Sequence, residues 1–556
     1  MTPRAPGRYD VGRFIEQVYR VLQANTIAAP SRILVADPIA ADGIRALQEY
    51  GDVIIRHGLS TADLREILAD CVALIVRSQT RVTREVIEAA PRLRVIGRAG
   101  IGTDNIDVEA ASRRGIVVVN APTAVVVAAA EHTLALLLAL CRRIPQAHRS
   151  VAEGRWERHR FIGTELRGKT IGIIGLGNIG AEVARRLAAF DVHLIGSDPY
   201  VTSEYAARLG VQLVPLDDLL ATADIITLHV PLTPSTRHLL GEEQFRRMKP
   251  GVRIINCARG GVIDENALVR SLESGRVAGA ALDVFAEEPP TNRALLESDR
   301  VVLTPHLGAS TSEAQVAASI EVAQQVIAVL RGEPVRYAVN APAILPESLS
   351  TLGPYVTLGE KLGYLMAQLI DRPLQSIEIT YGGQIADMDT TVVKSAIVKG
   401  LLRTAVPEHV NLVNALLLAQ SRRIQIIESR CSNPQENFAN LISLRVGAAD
   451  GFVQELAGAA INDEPHLVRV DRYHVDVVLN GGYLFFVRHT DQPGVVGKIG
   501  TLLGAGDVNI SAMQVGRLRP RGDAMMILAV DEAISDELFQ RILSETPIHA
   551  ARLVQL

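Results

Sequence analysis

Three residues of this 556-residue chain combine type and position in a way that suits one kind of chemistry. Arg259 lies in Asn256-Cys257-Ala258-Arg259-Gly260-Gly261, Glu288 in Asp283-Val284-Phe285-Ala286-Glu287-Glu288-Pro289, and His306 in Pro305-His306-Leu307-Gly308. Each stretch follows an apolar run that reads as a strand. Each can therefore stand at a strand's carboxyl end and face one cleft. Oxidising a 2-hydroxy acid by hydride removal needs a base for the hydroxyl proton. It also needs a cation for the carboxylate and carbonyl oxygen, and a partner that orients the base. An imidazole titrates near neutrality, which suits His306 to the first role. A guanidinium grips a carboxylate through two hydrogen bonds, which suits Arg259 to the second. A carboxylate beside a histidine fixes its tautomer, which suits Glu288 to the third. Taken singly, the three also suit a strand-end cap, an ion pair and a solvated acid.

Hydride removal requires an acceptor, and Ile171 to Asp198 supplies a place for one. Four apolar positions lead into Gly175-Leu176-Gly177-Asn178-Ile179-Gly180, and a helical pattern, a second apolar run and Asp198 follow. Gly175 allows the tight turn, Gly177 lets backbone amides approach a pyrophosphate, and Gly180 lets the helix pack on the strand. The helix N-terminus then faces the phosphates. Asp198 stands where an acid would hold the ribose hydroxyls of NAD. Pro199 and Tyr200 follow it, with no arginine beside it for a 2′-phosphate, so the pattern favours NAD over NADP.

The rest of the chain must position these groups. The length exceeds one core and suggests three or four domains. An apolar fraction of 48%, a charged fraction of 21% and a net charge of −4 describe a globular protein without a nucleic-acid-binding surface. Cys71, Cys141, Cys257 and Cys431 are far apart and form no CxxC. They read as reduced thiols of a cytoplasmic protein with no metal site. The apolar run Ala121 to Cys141 is broken by Glu131 and His132, so it reads as a buried helix and not a membrane span. Residues 1–30 form an Arg-bearing extension. Asp10, Glu16 and the lack of serine before Ser31 favour a surface helix or arm over a targeting peptide.

From Ser31 strands and helices alternate, which predicts parallel sheets wrapped by helices. Ligands of such sheets bind beyond the carboxyl ends of the strands. Arg77, Arg98 and the loop Gly100 to Asp104 lie at such ends, as candidates to hold an anion. The predicted fold is α/β with two parallel-sheet lobes: a flavodoxin-like substrate lobe (31–128 and 311–340) and an inserted Rossmann lobe (129–310). The helix from Glu313 to Leu330 closes back on the first lobe. Pro334, Pro342, Pro346 and Pro354 mark a linker into an α+β domain (341–482) without a catalytic motif. Residues 483–556 show a β-α-β-β-α-β order, which is ferredoxin-like. There His489 to Gly494 reads as a turn.

These stretches resemble the D-2-hydroxyacid dehydrogenase family. The acid-base trio of that family is Arg, Glu and His, matched at Arg259, Glu288 and His306. The order of the VGRAG-type, GLGNIG, NCARGG, DVFAEEP and PHLGAS stretches is most similar to its long branch, which adds an intervening domain and a C-terminal ACT domain. The resemblance covers all but the first 30 residues. It implies NAD-dependent oxidation of 3-phospho-D-glycerate to 3-phosphohydroxypyruvate, the first step of L-serine biosynthesis. It implies cofactor contacts from Gly175, Gly177, Asn178, Ile179, Gly180, Asp198, Val230, Cys257, Ala258, Arg259, Asp283, His306 and Gly308. It implies substrate contacts from Arg77, Arg98 and Gly100, and from Arg158 across a homodimer interface; ACT pairing could build a homotetramer. Serine, as an effector, would meet His489, Asp491, Gly494 and Asn509. The chain departs from the family where Val125 replaces an Asn and Ala128 a helix-capping Ser, changes expected to weaken substrate binding and the helix start. Relatives also often carry Thr where Ile101 and Val230 stand. Two other readings compete: a reductase of hydroxypyruvate, glyoxylate or 2-oxoglutarate, and a non-catalytic NAD(H)-sensing protein. The three arginines argue against the first and the intact trio against the second.

Overall fold

A computed structural model describes residues 31–333, 335–342, 346–406, 409–432 and 438–556, with 346–350 as backbone only. The N-terminal extension and Pro334 lie outside the described residues.

The first sheet comprises β1 (Arg32–Val35), β2 (Asp52–Ile55), β3 (Ala73–Val76), β4 (Val95–Arg98) and β5 (Val117–Asn120). Its order is β2-β1-β3-β4-β5, all parallel, as expected for a flavodoxin-like lobe. Helices cover both faces, which explains why Ala73–Val76 is an uninterrupted buried apolar run. The helix Ser312–Arg331 returns to this lobe as predicted. Val322 and Val326 lie so close to Gly97 that a side chain there would collide with them.

The second sheet comprises β6 (Thr170–Ile174), β7 (His193–Ser197), β8 (Gln212–Leu213), β9 (Ile225–Leu228), β10 (Val252–Asn256), β11 (Val277–Leu282) and β12 (Val301–Leu303). The order β12-β11-β10-β9-β6-β7-β8 is the Rossmann order extended by one strand. The topological switch falls between β6 and β9, which places the crevice at the glycine turn. The helix Val126–Arg142 links the two lobes, and its buried leucines join the core of the second.

The third sheet comprises β13 (Leu374–Gly383), β14 (Gln425–Cys431), β15 (Asn440–Ala448), β16 (Val453–Ile461), β17 (Glu464–Val470) and β18 (Tyr473–Val478). Only β13 and β14 are parallel; the other pairs are antiparallel. Helices Pro346–Leu369 and Thr391–Leu402 pack together, close enough that Gly363 and Gly400 contact the opposing backbone. The linker reading ran too far: Pro346 begins the first of these helices and Pro354 lies inside it. A proline is tolerated at a helix start. At Pro354 the missing backbone donor is outweighed by burial of Tyr355, Val356, Leu358 and Leu362.

The fourth sheet comprises β19 (Tyr483–Thr490), β20 (Ile510–Arg517), β21 (Asp523–Val530) and β22 (Ile548–Gln555), in the ferredoxin-like order β20-β21-β19-β22. β19 runs on through His489 and Thr490, which pair with Ala524 and Asp523, so the turn starts later than the sequence indicated. The period-2 alternation of β19 serves two cores. Phe485 and Val487 face this sheet's own helices, whereas Leu484 and Phe486 join the core of the third sheet. The last two sheets therefore share one hydrophobic core across residue 482.

Candidate active site

The glycine turn has the form its spacing demands. Gly175 takes φ +91, outside the range of ordinary residues, and a side chain on Gly180 would lie 2.0 Å from the Gly175 carbonyl oxygen. Gly177 faces open space, leaving its backbone and the N-terminus of the helix Asn178–Leu187 accessible to a phosphate. Val230, just past β9, lines the turn beside Gly175. Asp198 reaches back to the same turn, where Oδ2 accepts the Leu176 N–H at 2.8 Å. An open phosphate cradle beside a ribose-side carboxylate fits NAD.

β10, β11 and β12 are neighbours in the sheet, so the loops after them are adjacent. Gly260 ties the first two together: any side chain there would sit 1.9 Å from the Phe285 backbone. Glu288 and His306 meet, with Nδ1 of the ring 2.9 Å and 3.1 Å from the two carboxylate oxygens. The Phe285 N–H also donates to Glu288 at 3.2 Å. Burial opposes the Glu288 charge, but the His306 contact outweighs it and holds the carboxyl below its usual range. With Nδ1–H directed at Glu288, Nε2 is left to face a substrate.

Arg259 is held at the mouth of the crevice. Its Nε donates to Asp104 of the first lobe at 3.0 Å, and Nη1 to the Ala258 carbonyl at 2.7 Å. Asn256, missed by the sequence reading, sets this loop. It is 1% exposed, accepts the Ala258 N–H and donates to the Arg259 carbonyl. Replacing Asn256 with Ala orphans the buried Ala258 N–H and leaves the Arg259 carbonyl only its long bond from the Val262 N–H, and is expected to cost about 2 kcal/mol, roughly thirtyfold in kcat/KM. Steady-state kinetics with 3-phosphohydroxypyruvate checks this.

Arg98 faces Arg259 and Arg77. The Arg98 guanidinium occupies space that only a glycine at 100 leaves open, since a side chain there would lie 1.7 Å from Nη1. Its Nε is buried without a hydrogen-bond partner. Burial first, and then the Arg259 and Arg77 charges, pull its pKa down to about 10. Such a cluster is completed by an anion. Asp37, buried and also missed, builds the Arg77 loop by accepting from the Arg77 and Thr80 N–H groups and the Thr80 hydroxyl.

Cys257 is buried against Thr133, and burial pushes its thiol up to about 12, which leaves it inert as a nucleophile. Asp283 is 1% exposed, and its carboxylate accepts from Thr304, His132 and the Leu307 and Gly308 N–H groups. Val125 and Ala128 are buried with Ala121, Ala314 and Ala318 in a small apolar cluster. The helix starts at Val126 without a side-chain cap. Its entry loop is anchored instead by Glu321, which accepts from the Thr123 hydroxyl and the Ala124 N–H. Ile101 packs against the same cluster.

Two sets of expected residues are not gathered within one chain. Arg158 is exposed in the short helix Arg158–Phe161, and no hydrogen bond joins its side chain to a residue of the crevice among the described residues. Gly494 and Asn509 flank opposite ends of the 11-residue helix Val495–Ala505, about 16 Å long. His489 and Asp491 stay at the Gly494 end. Asp491 there accepts from Arg517 and the Arg521 N–H, while Asn509 bonds Asp531 and Glu532.

A dinucleotide cradle across from a carboxylate-oriented base and a cationic clamp leaves one class of chemistry for this crevice: NAD-dependent dehydrogenation of 2-hydroxy acids. Residues 134–308 match the NAD binding domain of D-isomer specific 2-hydroxyacid dehydrogenases, and 351–471 match the D-3-phosphoglycerate dehydrogenase intervening domain. The chain belongs to the D-3-phosphoglycerate dehydrogenase family. It is 46% identical over 512 residues to the D-3-phosphoglycerate dehydrogenase of Methanocaldococcus jannaschii, covering 92% of this chain and 97% of the relative. It is 44% identical over 527 residues to that of Synechocystis, covering 95% of each. Among solved structures, a glyoxylate reductase from Paecilomyes thermophila aligns with a TM-score of 0.53 and 33% identity, over 58% of this chain and 100% of that one. No described helix is long and apolar enough to cross a membrane, and no described group of histidine, cysteine and acidic side chains could hold a metal ion.

Proposed function

We infer that this chain oxidises 3-phospho-D-glycerate to 3-phosphohydroxypyruvate with NAD, opening L-serine synthesis. The arginine cluster carries the choice of a phosphorylated acid. Arg98 is half-buried, its Nε is buried without a hydrogen-bond partner among the described residues, and it faces Arg77 and Arg259, a concentration of positive charge that suits a substrate with both a carboxylate and a phosphate.

Bound NAD supplies the hydride acceptor, held by the Gly175–Gly180 turn, Asp198 and Val230. His306 takes the hydroxyl proton through Nε2. Glu288 holds the ring through Nδ1 and stabilises the imidazolium that forms. Arg259 draws the carboxylate and the developing carbonyl oxygen into line, and Arg77 and Arg98 hold the remaining anionic group. Following NADH absorbance with 3-phosphohydroxypyruvate beside hydroxypyruvate, glyoxylate and 2-oxoglutarate tests the assignment. Turnover with the phosphorylated acid in large preference is the expected result. Equal kcat/KM for glyoxylate contradicts it.

We read the working unit as at least a homodimer. Ile144, Val151, Trp156 and Ile162 are all more than half exposed on the segment that carries Arg158, a patch that suits a second copy. Arg158 would then complete a neighbouring active site. The separation of Gly494 from Asn509 suits a serine site shared between two copies. The buried free thiols Cys71, Cys141 and Cys257 agree with a cytoplasmic location.

A further inference from the structure

His306 sits in an unusual backbone state, in a loop whose next two amides are held by one buried carboxylate. Its φ is +55, a left-handed conformation that a non-glycine residue adopts only when its surroundings impose it. The imposing group is Asp283. The His306 N–H donates to the Asp283 carbonyl at 2.9 Å, the Leu307 N–H to Oδ1 at 2.7 Å, and the Gly308 N–H to Oδ2 at 2.8 Å. Asp283 is in turn fixed by the first residue of the loop, Thr304, whose carbonyl also accepts the His306 N–H at 3.0 Å, and by His132 from another element. The Thr304 hydroxyl donates to Oδ1 at 2.6 Å, and Nε2 of His132 lies 3.1 Å from the same oxygen and 3.2 Å from the Thr304 hydroxyl. Burial opposes the charge on Asp283, but these hydrogen bonds outweigh it, so the acceptor is a carboxylate and Nε2 of His132 carries the hydrogen.

We propose that His132 is a positioning residue for His306, acting through the Asp283 carboxylate. His132 belongs to the helix Val126–Arg142 that joins the two lobes, and no hydrogen bond connects it to Glu288 or His306 among the described residues. Its effect on the reaction therefore passes through the loop. Without His132, Asp283 keeps its backbone donors and the Thr304 hydroxyl but loses one of the two side chains that fix its orientation. The His306 ring then wanders from the place where Nε2 meets the hydroxyl proton, and small misplacements of a catalytic group are costly in rate. The proposal rests on the reading of His306 as the base.

The test compares His132→Ala, His132→Gln, Thr304→Val and His306→Ala as full-length enzymes reducing 3-phosphohydroxypyruvate. It records kcat, KM, NADH affinity and melting temperature. His132→Ala is expected to lower kcat about 10- to 100-fold, with KM and NADH affinity close to wild type. His132→Gln, whose amide can reach Asp283, is expected to recover most of kcat. Thr304→Val, which keeps His132, is expected to fall between. Wild-type kcat in His132→Ala beside an inactive His306→Ala overturns the proposal. So does a loss that Gln does not restore and that follows the melting temperature. Wild-type turnover by His306→Ala overturns the base assignment itself.

Discussion

Replacing His306 with Ala is expected to lower kcat by about 10²- to 10⁴-fold, the range of a lost general base, with NADH affinity unchanged. The ring is 45% exposed and, among the described residues, buttressed only through Nδ1, so its removal leaves the glycine turn and the core untouched. Glu288→Gln separates orientation from charge. The amide still accepts the Nδ1 hydrogen bond but no longer favours the imidazolium. The kcat for oxidation is therefore expected to fall, though less than in His306→Ala, because the imidazolium that forms in the step loses its counter-charge. Glu288 and Asp283 also tie stability to pH. Both carboxyls titrate below their ordinary values in the folded protein. Their contribution is complete above the unfolded range near pH 4 and is lost as pH falls through the lower folded values. Thermal melting of wild type against Asp283→Asn below about pH 4 is expected to show a shallower pH dependence in the variant.

The second large effect belongs to Arg98. Replacing it with Met removes a charge-assisted hydrogen bond to the substrate anion, worth about 1.5–3 kcal/mol, so KM is expected to rise roughly 10- to 150-fold. The same change deletes a half-buried cation whose burial and whose neighbours Arg259 and Arg77 oppose its charge more than Asp104 and Asp37 favour it. The variant is therefore expected to melt at or above the wild-type temperature in the absence of substrate. This pairing of weaker binding with undiminished stability distinguishes an anion site from a structural arginine. A structural arginine would lose stability on replacement. Inorganic phosphate is expected to raise the wild-type melting temperature and leave that of Arg98→Met unmoved.

The two lobes were legible because their strands are buried on both faces and so read as short apolar runs ending in polar residues. The glycine turn was legible because each glycine answers a separate steric demand. The trio was legible by its place after three neighbouring strands. What the sequence hid were polar residues that hold loops from a distance. His132 lies 151 positions from Asp283, and Asp37 lies 43 from Thr80. Asn256 stood inside a recognised motif, yet its role depends on both amide atoms finding backbone partners. Nor did pattern show that Leu484 and Phe486 serve a neighbouring core, since alternation identifies two faces without naming what covers each. The proline-based linker failed at Pro354 because helical packing overrode a local signal. The replacements at Val125 and Ala128 were visible in the sequence, but not the Glu321 side chain that anchors the adjoining loop.

The most direct measurement of the central claim follows the hydrogen itself. 3-Phospho-D-glycerate labelled with deuterium at C2 is incubated with NAD and the enzyme, and the reduced cofactor is analysed by mass. The account predicts deuterium recovered in the reduced cofactor, at a rate that collapses in His306→Ala. Reduced cofactor free of deuterium, or NADH binding without any turnover of the labelled acid, contradicts it.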